Sequence, residues 1–145
     1  MPKFFSLREA NEEIPELSKT FAKIFAINER IRTVSDELEE GVFVWRDDIF
    51  KKKSDYNEHF FNKQMEVEGL TSQIEETIQE MQNKGIMIKD VDTGLIDFPM
   101  RVDNSIIYLC WQYGEKNVSF WHTPEEGFDG RKHVKELKML QKPNQ

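Results

Sequence analysis

Apolar positions recur at helical spacing through the first half of the chain and at strand spacing through the second. Leu17, Phe21, Ile24, Asn28, Ile31, Ser35 and Leu38 fall at alternating steps of four and three, a heptad seam with two polar members. Phe25, Ile27 and Val34 widen that stripe. Upstream, Ser6-Leu7-Arg8-Glu9 has the form of a capping box, with Phe5 and Ala10 placed as a hydrophobic staple. Pro15 lacks an N–H and disfavours helix at Ile14. The pattern therefore predicts a short helical turn, a break or kink, and a long helix restarting at Pro15. Gly41 ends this helix or only weakens it. A second helix is expected to open near Ser54 or Asp55, where Asp55 and Glu58 repeat the capping pattern. Phe60, Gln64, Val67, Thr71, Ile74, Ile78 and Met81 keep the same seam, and Lys84-Gly85 is a helix stop. Two seams joined by a short connection predict an antiparallel helical hairpin over 15–84.

After Gly85 the period changes. Ile86-Met87-Ile88 is a short β run, Asp92-Thr93-Gly94 a turn, and Leu95 to Arg101 a strand in which Pro99 suggests an edge or a bulge. Asp103-Asn104 makes a second turn. Ser105 to Gln112 is the strongest strand signal, Gly114 to Asn117 a third turn, and Val118 to His122 a last strand. Gly127-Phe128-Asp129-Gly130 is irregular, and Val134 to Leu140 suits a short helix. Helices first and strands after give an α+β class. The sheet is expected to be a three- to four-stranded antiparallel meander over 85–131, with a tail over 132–145. The 145 residues fit a single domain, 1–145.

Composition narrows the function classes. The net charge of −7 makes nucleic acid and anionic lipid poor partners, and Lys51-Lys52-Lys53 sits among aspartates. The single cysteine, Cys110, excludes an intramolecular disulfide and any multi-cysteine zinc site. Met1 to Ser6 lacks the apolar run of a secretory leader and no stretch is long enough to span a bilayer, so a cytoplasmic location is expected.

The C-terminal half carries unusual words: Gly94-Leu95-Ile96-Asp97-Phe98-Pro99, Leu109-Cys110-Trp111 with Gly114-Glu115, Trp121-His122, and Gly127-Phe128-Asp129-Gly130-Arg131. With Phe5-Ser6-Leu7-Arg8-Glu9-Ala10-Asn11 and Pro15-Glu16-Leu17 at the other end, they resemble the bacterial and archaeal domain-of-unknown-function family numbered 2203, over roughly residues 4 to 131. The resemblance implies kinship and brings no activity with it. The chain extends beyond the family's usual end with Lys132 to Gln145 and carries an unusually apolar stretch from Gly41 to Phe50.

Asp97, Glu115, His122 and Arg131 stand inside those words and are the candidate site. Asp97 is flanked by apolar residues in a strand, where a carboxylate is costly unless paired. Strand ends converge in a meander, so these groups can meet at one rim. One reading is a ligand or metal site: Asp97, Glu115 and His122 can hold Mn, Fe or Zn, and Arg131 can clamp an anion. The other is a structural network, with Arg131 paired to Glu115 or Asp97 and His122 donating to a backbone carbonyl. No residue is assigned as catalytic. Cys110, mid-strand between Leu109 and Trp111, reads as a small inert hydrophobe, and nucleotide-binding glycine motifs are missing. His59 and His133 read as solvated surface residues.

In the central strand Ile107, Leu109 and Trp111 face one way and Ile106, Tyr108 and Cys110 the other. The hairpin covers one face; the other needs the Phe128 tail or a second subunit. Val42, Phe43, Trp45 and Phe50 near the hairpin tip, with Tyr108 on the sheet, are candidate contact residues. The expected function is a non-catalytic protein-interaction or structural module acting as a homodimer, with a further protein partner possible at the hairpin tip. The rival expectation is a small-molecule or metal-binding protein, with or without enzymatic activity, built on the four rim residues. No cofactor is indicated.

Overall fold

A computed structural model describes residues 3–46 and 53–140, and the side chains of these except 40–46, 53–56 and 138–140. Two helices, α1 (Leu7–Arg46) and α2 (Lys53–Asn83), precede five strands: β1 (Met87–Asp90), β2 (Leu95–Val102), β3 (Ser105–Gln112), β4 (Phe120–His122) and β5 (Lys132–His133). Short 3₁₀ segments cover Phe128–Gly130 and Val134–Leu140. All pairings are antiparallel and follow chain order, β1-β2-β3-β4-β5, so the α+β meander is present with one strand more than expected. Among the described residues no helix is long and apolar enough to cross a membrane.

Residues group into two compact units, Met1–Ala22 with Ile78–Gln145, and Lys23–Thr77. In the first unit the capping box forms: Glu9 N–H donates to Ser6 Oγ at 3.1 Å, and Ser6 N–H to Glu9 Oε1 at 3.0 Å. The Ser6 N–H first, and then the Ser6 side chain, hold the Glu9 carboxyl below its ordinary pKa. Phe5 and Ala10, the staple positions, are both buried.

Pro15 does not break the helix as the sequence suggests, but lies inside α1. It forfeits one backbone bond, about 3 kcal/mol in a helix interior. Ala10, Ile14, Leu17 and Phe21 lie on one buried stripe on both sides of it. Each large side chain so buried contributes roughly 1.5–3 kcal/mol, and a break would forfeit the stripe's alignment. Gly41 likewise does not end α1, whose backbone continues to Arg46.

The stop at Gly85 forms as expected. Gly85 N–H donates to Gln82 O and Ile86 N–H to Met81 O, the paired bonds of a Schellman ending, with Gly85 at φ +92°. From there β1 starts, and its pairing with β2 slips between Ile88 and Asp90.

Pro99 sits in the middle of β2 opposite Tyr108. No bulge interrupts the β2–β3 register at Pro99. It lies on a locally open edge of β2, one of the two readings the sequence offers, because β1 pairs only with the Leu95–Asp97 part of β2. Beyond it, Pro99 O accepts the Phe5 N–H at 2.8 Å. A residue's N–H and C=O point to the same side of a strand, so the donor that proline lacks faces away from β3.

The Asp103-Asn104 turn closes β2 onto β3 with Val102 opposite Ser105 and Asp103 at φ +54°. One face of the sheet carries Ile96, Phe98, Met100, Ile107, Leu109 and Trp111, all buried. It meets the first unit's share of α1 and the N-terminal segment through Phe21 on Trp111 (6.2 Å between ring centroids) and Phe5 on Phe98 (5.0 Å). Val118 was expected in the last strand; Asn11 Oδ1 instead accepts its N–H at 2.7 Å, and β4 begins at Phe120.

In the second unit the helices run antiparallel: Arg30 pairs with Glu66 at 2.8 Å, and Glu37 with Lys63 at 2.9 Å. In α1 the seam residue Ile24 is buried, Asn28, Ile31, Ser35 and Leu38 are half-buried, and Ile27 and Val34 beside the seam are buried. The α2 seam holds at its apolar members and shifts at its polar ones. Gln64 and Thr71 are exposed, whereas Lys63 and Leu70 are half-buried beside Phe60, Val67 and Ile74. Lys63 lays its aliphatic stem along this face and puts its ammonium on Glu37. Val42, Phe43 and Trp45 belong to α1 by backbone, but their side chains, and Phe50 altogether, lie outside the described residues.

Candidate functional site

Three strands bring the site together on the sheet face opposite the helices. Register places Asp97 of β2 opposite Cys110 of β3, and Cys110 opposite Phe120 of β4. His122 is two residues beyond Phe120 and shares its face. Asp97, Cys110 and His122 are 1%, 1% and 4% exposed.

His122 is fixed at both ring nitrogens. Nδ1 lies 2.8 Å from Thr123 O, and a carbonyl can only accept, so Nδ1–H donates. Nε2 lies 3.0 Å from Asp97 Oδ2. The Tyr108 ring flanks the imidazole, with centroids 5.5 Å apart. Thr123 is tied in turn by its N–H and hydroxyl to Glu126 Oε1, which Lys132 also reaches at 3.0 Å. Glu126 is thereby held below the usual carboxylate range, first by the Lys132 bond and then by Thr123.

Glu115 and Arg131 form a second pair. Arg131 Nη2 donates to both Glu115 oxygens at 2.8 Å, and Glu115 Oε1 also accepts the Gln112 N–H at 2.6 Å. Trp111 Nε1–H donates to Glu115 O at 2.9 Å, which fastens this turn to the sheet. The Arg131 guanidinium stacks over Phe120 (4.1 Å) and Phe128 (4.7 Å). The wrap after Gly127 therefore lies over the β4 side of this face, and Cys110 at its centre is buried without a second subunit.

The four residues singled out in the sequence thus assemble as two pairs, Asp97 with His122 and Glu115 with Arg131. Sequence reasoning set Cys110 aside, yet it joins the first pair. Its ligand-capable sulfur, the Asp97 carboxylate and a His122 ring nitrogen all lie within 4.8 Å of one another. A signal for this existed: a two-residue turn at Asp103-Asn104 places 102 opposite 105 and hence 97 opposite 110. Burial pushes the Cys110 thiol up to about 12; Arg131 opposes the rise, and the Asp97 carboxylate adds to it by charge and by hydrogen bonding. Asp97 Oδ1 nonetheless has no partner of good hydrogen-bond geometry among the described residues.

A family model described as "Uncharacterized conserved protein (DUF2203)" matches residues 3–134. The chain belongs to that family. No curated protein and no solved structure matches it.

Proposed function

We propose that this member of the family is a non-catalytic interaction module that works as a homodimer, two copies meeting through α2. The observation that carries the reading is on that helix. Between Asn57 and Thr77 no described side chain of α2 is fully buried, and Phe61 and Met65, one turn apart, are 59% and 48% exposed. A pair of helices is a single layer and closes a core only against another. Large apolar side chains side by side on such a layer favour association. Gly69 lies one further turn along the same stripe, and a Cβ there would meet nothing within 4 Å. Mid-helix glycine costs about 1 kcal/mol relative to alanine, a cost that close approach of a second helix offsets.

A non-catalytic role fits the sheet site. The one thiol is unionised at neutral pH, and Asp97 and His122 are shut away from any substrate. A cytoplasmic setting goes with this reading, since Cys110 is buried and unpaired.

Sedimentation velocity over a range of concentrations tests the proposal. The wild type is expected to sediment as a dimer, and the Phe61→Glu/Met65→Glu double variant as a folded monomer. Four half-exposed side chains brought out of water at about 1 kcal/mol each set the expected weakening near 10³-fold. A wild-type monomer at high concentration would remove the reading.

A further inference from the structure

We propose that Asp97, Cys110 and His122 form a binding site for one divalent transition-metal ion of the zinc class. Three observations converge on it. First, the donors differ in type yet cluster: a carboxylate oxygen, a sulfur and an imidazole nitrogen within 4.8 Å of one another, all buried. Tetrahedral zinc takes all three at roughly 2.0–2.3 Å. The sulfur disfavours magnesium and calcium, which take oxygen.

Second, the imidazole is oriented as a ligand is. Nδ1–H donates to Thr123 O, so in the neutral ring Nε2 carries a lone pair. That lone pair faces Asp97 Oδ2 at 3.0 Å, acceptor against acceptor. Only a proton or a cation between them makes the contact favourable. Histidine ligands commonly donate their remote N–H to a backbone carbonyl, which fixes the ring.

Third, Asp97 Oδ1 is buried and has no hydrogen-bond partner of good geometry among the described residues; the Cys110 thiol, a weak donor, is the group that engages the carboxylate inside the cluster. An acceptor so placed is costly unless something engages it.

Charge also balances. A divalent ion with the Asp97 carboxylate and a Cys110 thiolate sums to zero. Arg131, whose charge reaches Cys110, is already paired with Glu115 through two 2.8 Å contacts. A fourth tetrahedral position falls to a solvent oxygen. Because the donors are closed off from substrate, the ion's role is to tie β2, β3 and β4 together. This goes beyond the α2 dimer and does not depend on it.

The test is cobalt(II) as a spectroscopic stand-in for zinc. Full-length protein is unfolded in denaturant with chelator, freed of chelator, and refolded with cobalt. The expected result is one cobalt per chain and a near-ultraviolet thiolate-to-metal charge-transfer band. The chain has one cysteine, so such a band can arise only from Cys110. Cobalt should also raise the midpoint of thermal unfolding, and Cys110→Ala should lose both band and rise. Should Cys110→Ala fail to fold, the wild-type spectrum decides alone. Wild-type protein that refolds without stoichiometric cobalt, or binds it without the band, overturns the proposal.

Discussion

Replacing Asp97 by alanine removes the only hydrogen-bond partner that His122 Nε2 has among the described residues, at a site 1% exposed. Stranding one partner of a buried hydrogen bond that involves a carboxylate costs about 1.5–3 kcal/mol. Against a total stability on the order of 10 kcal/mol that is a sizeable fraction. With a urea slope of about 2 kcal/mol per M, the midpoint should fall by about 1 M. Tryptophan fluorescence reads the transition, since Trp111 and Trp121 lie in the strands that flank or carry the pair. Chelator in every sample keeps bound metal out of the comparison. The companion is a cycle with His122→Leu and the Asp97→Val/His122→Leu double variant. Removing both polar groups leaves nothing stranded, so the double loss should be smaller than the sum of the singles by about 2 kcal/mol or more. An Asp97→Ala cost below about 1 kcal/mol, or additive losses, would refute the coupling argued here.

Two further outcomes follow from single residues. The Cys110 thiol sits at about 12 in the folded protein because it is buried, and near 8.5 in an unfolded chain. Above that lower value the unfolded state releases a proton that the folded state retains. In metal-free protein this thiol should therefore leave stability untouched below about pH 8 and lower it by up to about 1.4 kcal/mol per pH unit from there towards 12. Urea titrations at rising pH check this: the wild type should lose stability faster than Cys110→Ala, and parallel curves would contradict the assignment. At Gly85, alanine must take φ +92° and bring its Cβ to 2.9 Å from Lys3 Cβ. A loss of about 1–2 kcal/mol from the backbone alone is expected in a urea melt, and a neutral result would contradict the left-handed stop.

What could be read from the sequence was local. The Ser6–Glu9 box, the Gly85 stop and the strand from Ser105 to Gln112 depend on neighbours a few residues apart, and each forms where the pattern puts it. Asp97 stood out because a charge between apolar neighbours needs a partner, and Arg131 because it closes the Gly127–Arg131 word. The misses are all cases where distant chain decides. Pro15 stays helical because its flanking stripe is buried. Val118 leaves the sheet because Asn11, far along the chain, takes its N–H. Lys132-His133 becomes a strand through pairing with Phe120 and Trp121, although two polar residues carry no period of their own. Cys110 looked inert because its own strand shows only apolar neighbours; register, not spacing, sets it beside Asp97.

Dimerisation through α2, as proposed, places a second copy over the face bearing Phe61 and Met65. Gly69 offers the most direct probe, because a Cβ added there meets nothing within 4 Å among the described residues. A photoreactive benzoylphenylalanine placed at position 69 should, on irradiation, give a product of twice the chain mass, with the cross-link mapped to α2 of the other copy. Irradiated protein that stays at the mass of one chain, at concentrations where a dimer would be populated, would contradict it.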